Sequence, residues 1–96
     1  MKIIISDKAK RDLLNLYSYL AERNPVAAET VLQAIDEKLA QLSSFPFIGP
    51  ERSGLAPGLR GVVVRTQLIF YTVAPDCVHV VRVIDGRMDV DEEFQR

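Results

Sequence analysis

Two amphipathic helical patterns stand back to back in this chain, separated by nothing but Asn24-Pro25. The first starts at Ser6, a good N-cap, followed by the acid Asp7 where the helix dipole favours one. Ala9, Leu13, Leu16, Tyr17 and Leu20 then recur at helical spacing as far as about Arg23. Asn24 is itself a good N-cap and Pro25 suits a first helical position, so a second helix begins where the first stops. Ala28, Val31, Leu32, Ile35, Leu39 and Leu42 carry it to about Ser44. With no connecting length, the two helices must fold back as an antiparallel hairpin. Each has an apolar stripe that needs a further surface to cover it. The other face of the first helix carries Lys8, Arg11, Asp12 and Asn15 and is expected to face solvent.

The rest of the chain supplies that surface. Lys2–Ile5 is a short β-branched run and reads as a strand. Val62–Val73 is nearly all β-formers but too long for one strand in a small domain, so a hairpin turn is placed at Arg65-Thr66-Gln67. Ala74-Pro75-Asp76-Cys77 is a second turn, and Val78–Ile84 the last strand. The expected fold is α+β: a strand, the helix hairpin, then a three-stranded antiparallel meander with the helices on one face. Between them Phe45–Gly58 is rich in Pro and Gly and reads as a loop, its start pinned to the core by Phe45, Phe47 and Ile48. In the last strand Val81 and Val83 are expected to face the helices, with Val80, Arg82 and Ile84 on the other side. Met88, Val90 and Phe94 are the candidate anchors of the polar tail.

Composition narrows the function classes. At 96 residues, 48% hydrophobic and 26% charged, the chain is read as one globular domain spanning 1–96. A single Cys excludes a disulfide framework and a cysteine-built zinc site, and with one His a metal site would need carboxylates at spacings that do not occur. No cofactor is expected. No apolar run approaches the roughly 18 residues of a membrane span, and no leader-like stretch opens the chain. A reducing cytoplasmic setting without membrane contact follows. Net charge is −1, which argues against a protein that grips nucleic acid by its phosphates. That sum conceals a gradient. Residues 85–93 hold five acids and one base, and without them and Arg96 the body stands at +2. After Lys38 every base is arginine, the residue best suited to carboxylates and phosphates.

Candidate chemistry is sparse. His79 lies in a valine-rich strand with no nucleophile or acid at a recognisable spacing and reads as a buried or half-buried structural residue. No Gly-rich phosphate loop or nucleophile elbow is present. Arg60, Arg65 and Arg82 flank or interrupt predicted strands. On a sheet face left open by the helices they would form a basic concave surface for a partner's acids or for RNA phosphates. The bland alternative is a set of solvated charges, or pairing with the acidic tail.

In this order and spacing several segments together resemble the RelE/ParE superfamily of toxins. They run from Ser6-x-x-Ala9-x-x-Asp12-Leu13 through Tyr17-x-Tyr19-Leu20 and Asn24-Pro25-x-Ala27-Ala28. They continue with Leu42-x-x-Phe45-Pro46-x-Ile48-Gly49, Gly58-Leu59-Arg60, Phe70-Tyr71-x-Val73 and Val81-Arg82-Val83-Ile84. Gly86-Arg87-Met88-Asp89-Val90 closes the series and is similar to the tail of the ParE-like branch. The resemblance implies the toxin of a type II toxin–antitoxin pair, in hetero-oligomeric complex with a cognate antitoxin whose C-terminal segment wraps it. For the ParE-like branch it implies inhibition of DNA gyrase by protein–protein contact, with no catalytic residue and no direct nucleic-acid binding. The RelE-like alternative is a ribosome-dependent mRNA endonuclease, for which near-neutral charge and Asp85, where many relatives have His, are unfavourable. Partner contacts are expected at Arg60, Arg65, Arg82, Arg87, Met88 and Asp89. A third reading is a purely structural module that serves as the antitoxin's partner.

Overall fold

The computed structural model of the chain describes residues 1–95. Its elements follow the order β1 (Lys2–Ile5), α1 (Asp7–Arg23), α2 (Pro25–Ser44), β2 (Arg60–Val64), β3 (Gln67–Val73), β4 (Cys77–Asp85) and α3 (Val90–Gln95). Local chemistry accounts for the helix ends. Ser6 Oγ accepts from the Ala9 N–H at 3.0 Å. Asn24 closes α1 by donating its N–H to the Leu20 carbonyl at 2.7 Å, and starts α2 by accepting from the Ala27 N–H at 3.2 Å. One residue thus satisfies orphan groups of both helices, which makes the hairpin tight.

The four strands form one sheet in the order β1-β4-β3-β2. The β2–β3 and β3–β4 pairs are antiparallel, while β1 lies parallel to β4 along its outer edge. The expected meander is therefore present, with the N-terminal strand added beside the last one. The β2–β3 hairpin turns on two residues, Arg65 and Thr66, and Gln67 already belongs to β3. Arg65 adopts φ +55, a left-handed backbone usually left to Gly or Asn.

Helices α1 and α2 cover one face of the sheet. Ala9, Ile35 and Leu42 pack there against Val62, Val64, Ile69, Tyr71, Val78, Val80 and Val83. The pattern corrects the expected orientation of β4. Phe70 pairs with Arg82 but Tyr71 pairs with Val80, so Val81 is an extra residue in a bulge. The bulge shifts the alternation: Val80 and Val83 enter the helix-side core, while Val81 and Ile84 face the other way.

That second face is not open. Leu59, Phe70 and Ile84 form a smaller core on it, covered by Leu55 and Ala56 of the loop and by Val90 and Phe94 around α3. Phe94 meets Phe70 edge-to-face, with ring centroids 4.9 Å apart and an interplanar angle of 86°. Val90 and Phe94 therefore do anchor the tail, whereas Met88 stays 49% exposed.

The loop start also differs from expectation. Phe45, Phe47 and Ile48 are 62%, 64% and 44% exposed and do not pin it. Gly49 does so, as a buried residue whose N–H donates to the Tyr71 hydroxyl at 2.9 Å. A Cβ at this position would lie 2.6 Å from Tyr71 Oη and 2.9 Å from the Gly61 carbonyl oxygen, so only glycine lets the loop approach this closely. Among the described residues no helix is long and apolar enough to cross a membrane.

Candidate partner-binding surface

Beyond Val80, β4 runs past the end of β1 and would leave a bare edge. Ser6, the N-cap of α1, and Asp12 within the helix fill it. The Ser6 N–H donates to the Val80 carbonyl at 3.0 Å, and Ser6 Oγ donates to the Val81 carbonyl at 2.8 Å. One turn and a half further on, Asp12 Oδ2 accepts the Val83 N–H at 3.0 Å. The same carboxylate takes a two-pronged grip from Arg82, with Nε at 2.8 Å from Oδ2 and Nη2 at 3.0 Å from Oδ1. Arg82 also donates through Nη1 to the Glu93 carbonyl at 3.0 Å and lies 3.8 Å from the Glu93 carboxylate. Its side chain is 12% exposed and that of Asp12 15%. The Asp12 hydrogen bonds raise the Arg82 pKa against the opposing effect of burial, so the guanidinium is firmly held charged. Arg82 is thus the internal tie between α1, β4 and α3. Asp12, expected in solvent, is its half-buried counter-ion. The expected pairing of an arginine with the acidic tail is realised through Glu93.

The other sequence-predicted residues separate. Arg60 bends back over the loop: Nη1 donates to the Gly49 carbonyl at 2.7 Å and to the Phe47 carbonyl at 3.4 Å. Its guanidinium sits 5.0 Å from the Phe47 ring centroid and 3.4 Å from the Glu51 carboxylate. Arg65 stands exposed on the β2–β3 turn, at the far end of β2 from Arg60 and roughly 16 Å away along the strand. The three arginines do not converge, because the face on which they were expected is covered by the loop and α3. Asp89 caps α3, with Oδ1 accepting the Glu92 N–H at 3.2 Å. His79 is exposed rather than buried, since neither α3 nor the loop packs over the start of β4, and its Nε2 lies 3.2 Å from Cys77 Sγ. Burial, aided by the nearby Asp76 charge, pushes the Cys77 thiol pKa up, away from the reactive thiolate.

Arg82, Arg87 and Met88 do come together. They line a groove of about 740 Å³ between α1 and the C-terminal end of β4. One wall is α1, from Lys8 to Tyr19; the other is the segment from Asp85 to Met88; Leu16, Val83 and Ile84 lie between. Arg87 clamps Asp85 through Nε at 3.0 Å and Nη2 at 2.6 Å, yet its side chain remains 78% exposed. The clamp lowers the Asp85 pKa to about 2, chiefly through the side-chain hydrogen bond and then through the Arg87 N–H. The surface therefore offers an ionised, paired rim with a half-exposed thioether beside it. Among the described residues no three His, Cys, Asp or Glu side chains are grouped to hold a metal ion.

Sequence reasoning missed Asp12 as a structural centre, although two signals were present. Asp12 borders the apolar stripe between Ala9 and Leu16, and Arg82 is a lone cation in an apolar strand that needs a counter-ion.

Comparison with known proteins adds the remaining observations. Residues 3–90 match the family model described as the ParE toxin of type II toxin-antitoxin system, parDE. Toxin ParE3 of Caulobacter vibrioides is 32% identical over 90 residues, covering 93% of this chain and 90% of that protein. Among solved structures, a chain of the chromosomal ParDE TA system from P. aeruginosa superposes with a TM-score of 0.75 at 22% identity. That alignment covers 88% of this chain and 95% of the other, and shows the same α+β fold.

Proposed function

Since this chain belongs to the ParE toxin family of type II toxin–antitoxin systems, we propose that it disables DNA gyrase by protein–protein binding and is neutralised by a cognate antitoxin. In this reading it makes and breaks no bonds of its own. It holds gyrase in the cleaved-DNA state and so blocks replication. The observation that carries the choice is the internal commitment of Arg60 and Arg82, two of the three arginines flanking or interrupting the strands. A nuclease needs cations free to meet developing phosphate charge. Arg82 is spent on Asp12 and Glu93, and Arg60 on the carbonyls of its own loop. The exposed guanidinium of Arg87 beside Met88 suits contact with a protein surface, where Arg and Met are enriched. Arg65 offers a second, separate contact at the hairpin tip.

Antitoxin binding draws on a different resource. Leu14, Tyr17 and Val26 are exposed on the helix hairpin at 64%, 36% and 74%, and Phe45 and Phe47 beyond α2 by similar fractions. Such exposure is costly in a free chain and suits a protein that spends its life covered by a partner. An amphipathic antitoxin helix laid on the hairpin would cover it.

Two assays run side by side test the function: supercoiling by purified gyrase, and translation-coupled mRNA cleavage. Lost supercoiling with intact mRNA, reversed by the antitoxin, is the expected result. Cleaved mRNA with normal supercoiling would replace this reading with a RelE-like nuclease.

A further inference from the structure

The α1 wall of the groove presents a polar face to solvent. Arg11, Asn15 and Tyr19 follow at steps of four on one helix face, and all three are exposed. Arg87 and Met88 stand on the opposite rim. The floor offers no free cation, because Arg82 is held between two carboxylates, Asp12 and Glu93. The rims are where cations face solvent. Arg11 is engaged by no hydrogen bond or ion pair among the described residues, and Arg87 is largely exposed despite its clamp. Over the whole lining bases outnumber acids by four to three, and since the floor holds one base and two acids the excess lies on the rims, which favour an acidic visitor. The chain itself shows which chemistry fits this region. Its own Glu93 enters the lining and meets Arg82, while the next residue, Phe94, goes into the apolar cluster alongside.

The geometry points to this groove as the docking site for a short acidic, partly apolar segment of gyrase, an inference that rests on the gyrase reading above. Carboxylates of that segment pair with Arg11 and Arg87 across the rims, Asn15 and the Tyr19 hydroxyl add hydrogen bonds, and an apolar side chain settles on Leu16 and Met88. The antitoxin is assigned to the other surface for a physical reason. Long-lived complexes bury broad apolar areas, whereas transient ones are smaller and more polar. The exposed residues of the helix hairpin and of Phe45–Ile48 offer the first, and this groove the second.

The test uses full-length toxin carrying Arg11→Glu or Arg11→Glu/Asn15→Asp, with Arg11→Lys as the conservative variant. Three quantities are read for each: gyrase supercoiling inhibition, affinity for the antitoxin, and thermal stability. Reversing a rim charge that meets an acid should raise the inhibitory concentration by about tenfold or more, with Arg11→Lys retaining most of the inhibition. Added salt should narrow the gap between wild type and variants. Antitoxin affinity and melting temperature should stay close to wild type. Full gyrase inhibition by Arg11→Glu would overturn the groove assignment while leaving the gyrase reading intact. Loss of antitoxin affinity by the same variants would overturn it by giving the groove to the antitoxin. Absence of gyrase inhibition by the wild-type toxin would overturn the functional reading, and the docking inference with it.

Discussion

Removing the Asp12 carboxylate tests the central tie of this molecule. In Asp12→Ala, Arg82 loses two hydrogen bonds of 2.8 and 3.0 Å, and the Val83 N–H at the bare edge of β4 loses its acceptor at 3.0 Å. Breaking a buried ion pair from one side costs about 3–5 kcal/mol, because the remaining charge is left desolvated. Two features place this case at the lower end. Both side chains keep some exposure, 12% and 15%, and Glu93 stays beside the guanidinium. The expectation is a loss of about 3 kcal/mol, a large share of the roughly 5–14 kcal/mol available to a chain of this length. The melting temperature should fall by about 12–24 °C, using the usual 4–8 °C per kcal/mol for small domains. Urea unfolding of wild type, Asp12→Ala, Arg82→Met and the Asp12→Ala/Arg82→Met double variant completes the cycle. The double variant should recover much of the loss, since neither charge is then left alone, short of about 1–2 kcal/mol for the orphaned Val83 N–H. A single-variant loss under about 1 kcal/mol, or additivity of the two losses within about 0.5 kcal/mol, would refute the claim that this pair binds α1 to the sheet.

Three further predictions rest on separate features. Arg65→Asn should stabilise the fold by up to about 1 kcal/mol in urea unfolding, because Asn tolerates the left-handed backbone that Arg65 holds at φ +55. Gly49→Ala should cost about 2 kcal/mol or more and lower soluble yield, since its methyl would meet the Tyr71 hydroxyl at 2.6 Å and a backbone carbonyl at 2.9 Å. Asp85 should show in the acid limb of stability. Its folded pKa of about 2 lies below the usual carboxylate value near 3.9, so its contribution is present above about pH 4 and fades as pH falls toward 2. Asp85→Asn should flatten that limb in unfolding measured from pH 2 to 5, and an unchanged limb would show that the Arg87 clamp contributes nothing.

Much of the fold is legible in the amino-acid sequence because it is written over short distances. Helix periodicity, the double role of Asn24, Pro25 at the first position of α2 and the β-branched runs all act within a few residues of themselves. They determine α1, α2 and the strands, and with them an α+β architecture. What only the tertiary structure decided depends on register and on partners far apart in the chain. One extra residue at Val81 shifts the alternation of β4 and sends Val80 to the helix side. A strand shorter than its neighbour leaves the Val83 N–H without a strand partner on the β1 side, and Asp12, 71 residues earlier, fills the gap. The close approach of Gly49 to Tyr71 frees Phe45 and Phe47 to face outward. The candidate site follows the same division. Arg82, Arg87 and Met88 stand out by residue type, but a side chain's type does not say whether its charge is spent inside the fold. Burial beside Asp12 settles that for Arg82, whereas Arg87 and Arg11 remain exposed on the rims, where the proposed partner contacts lie.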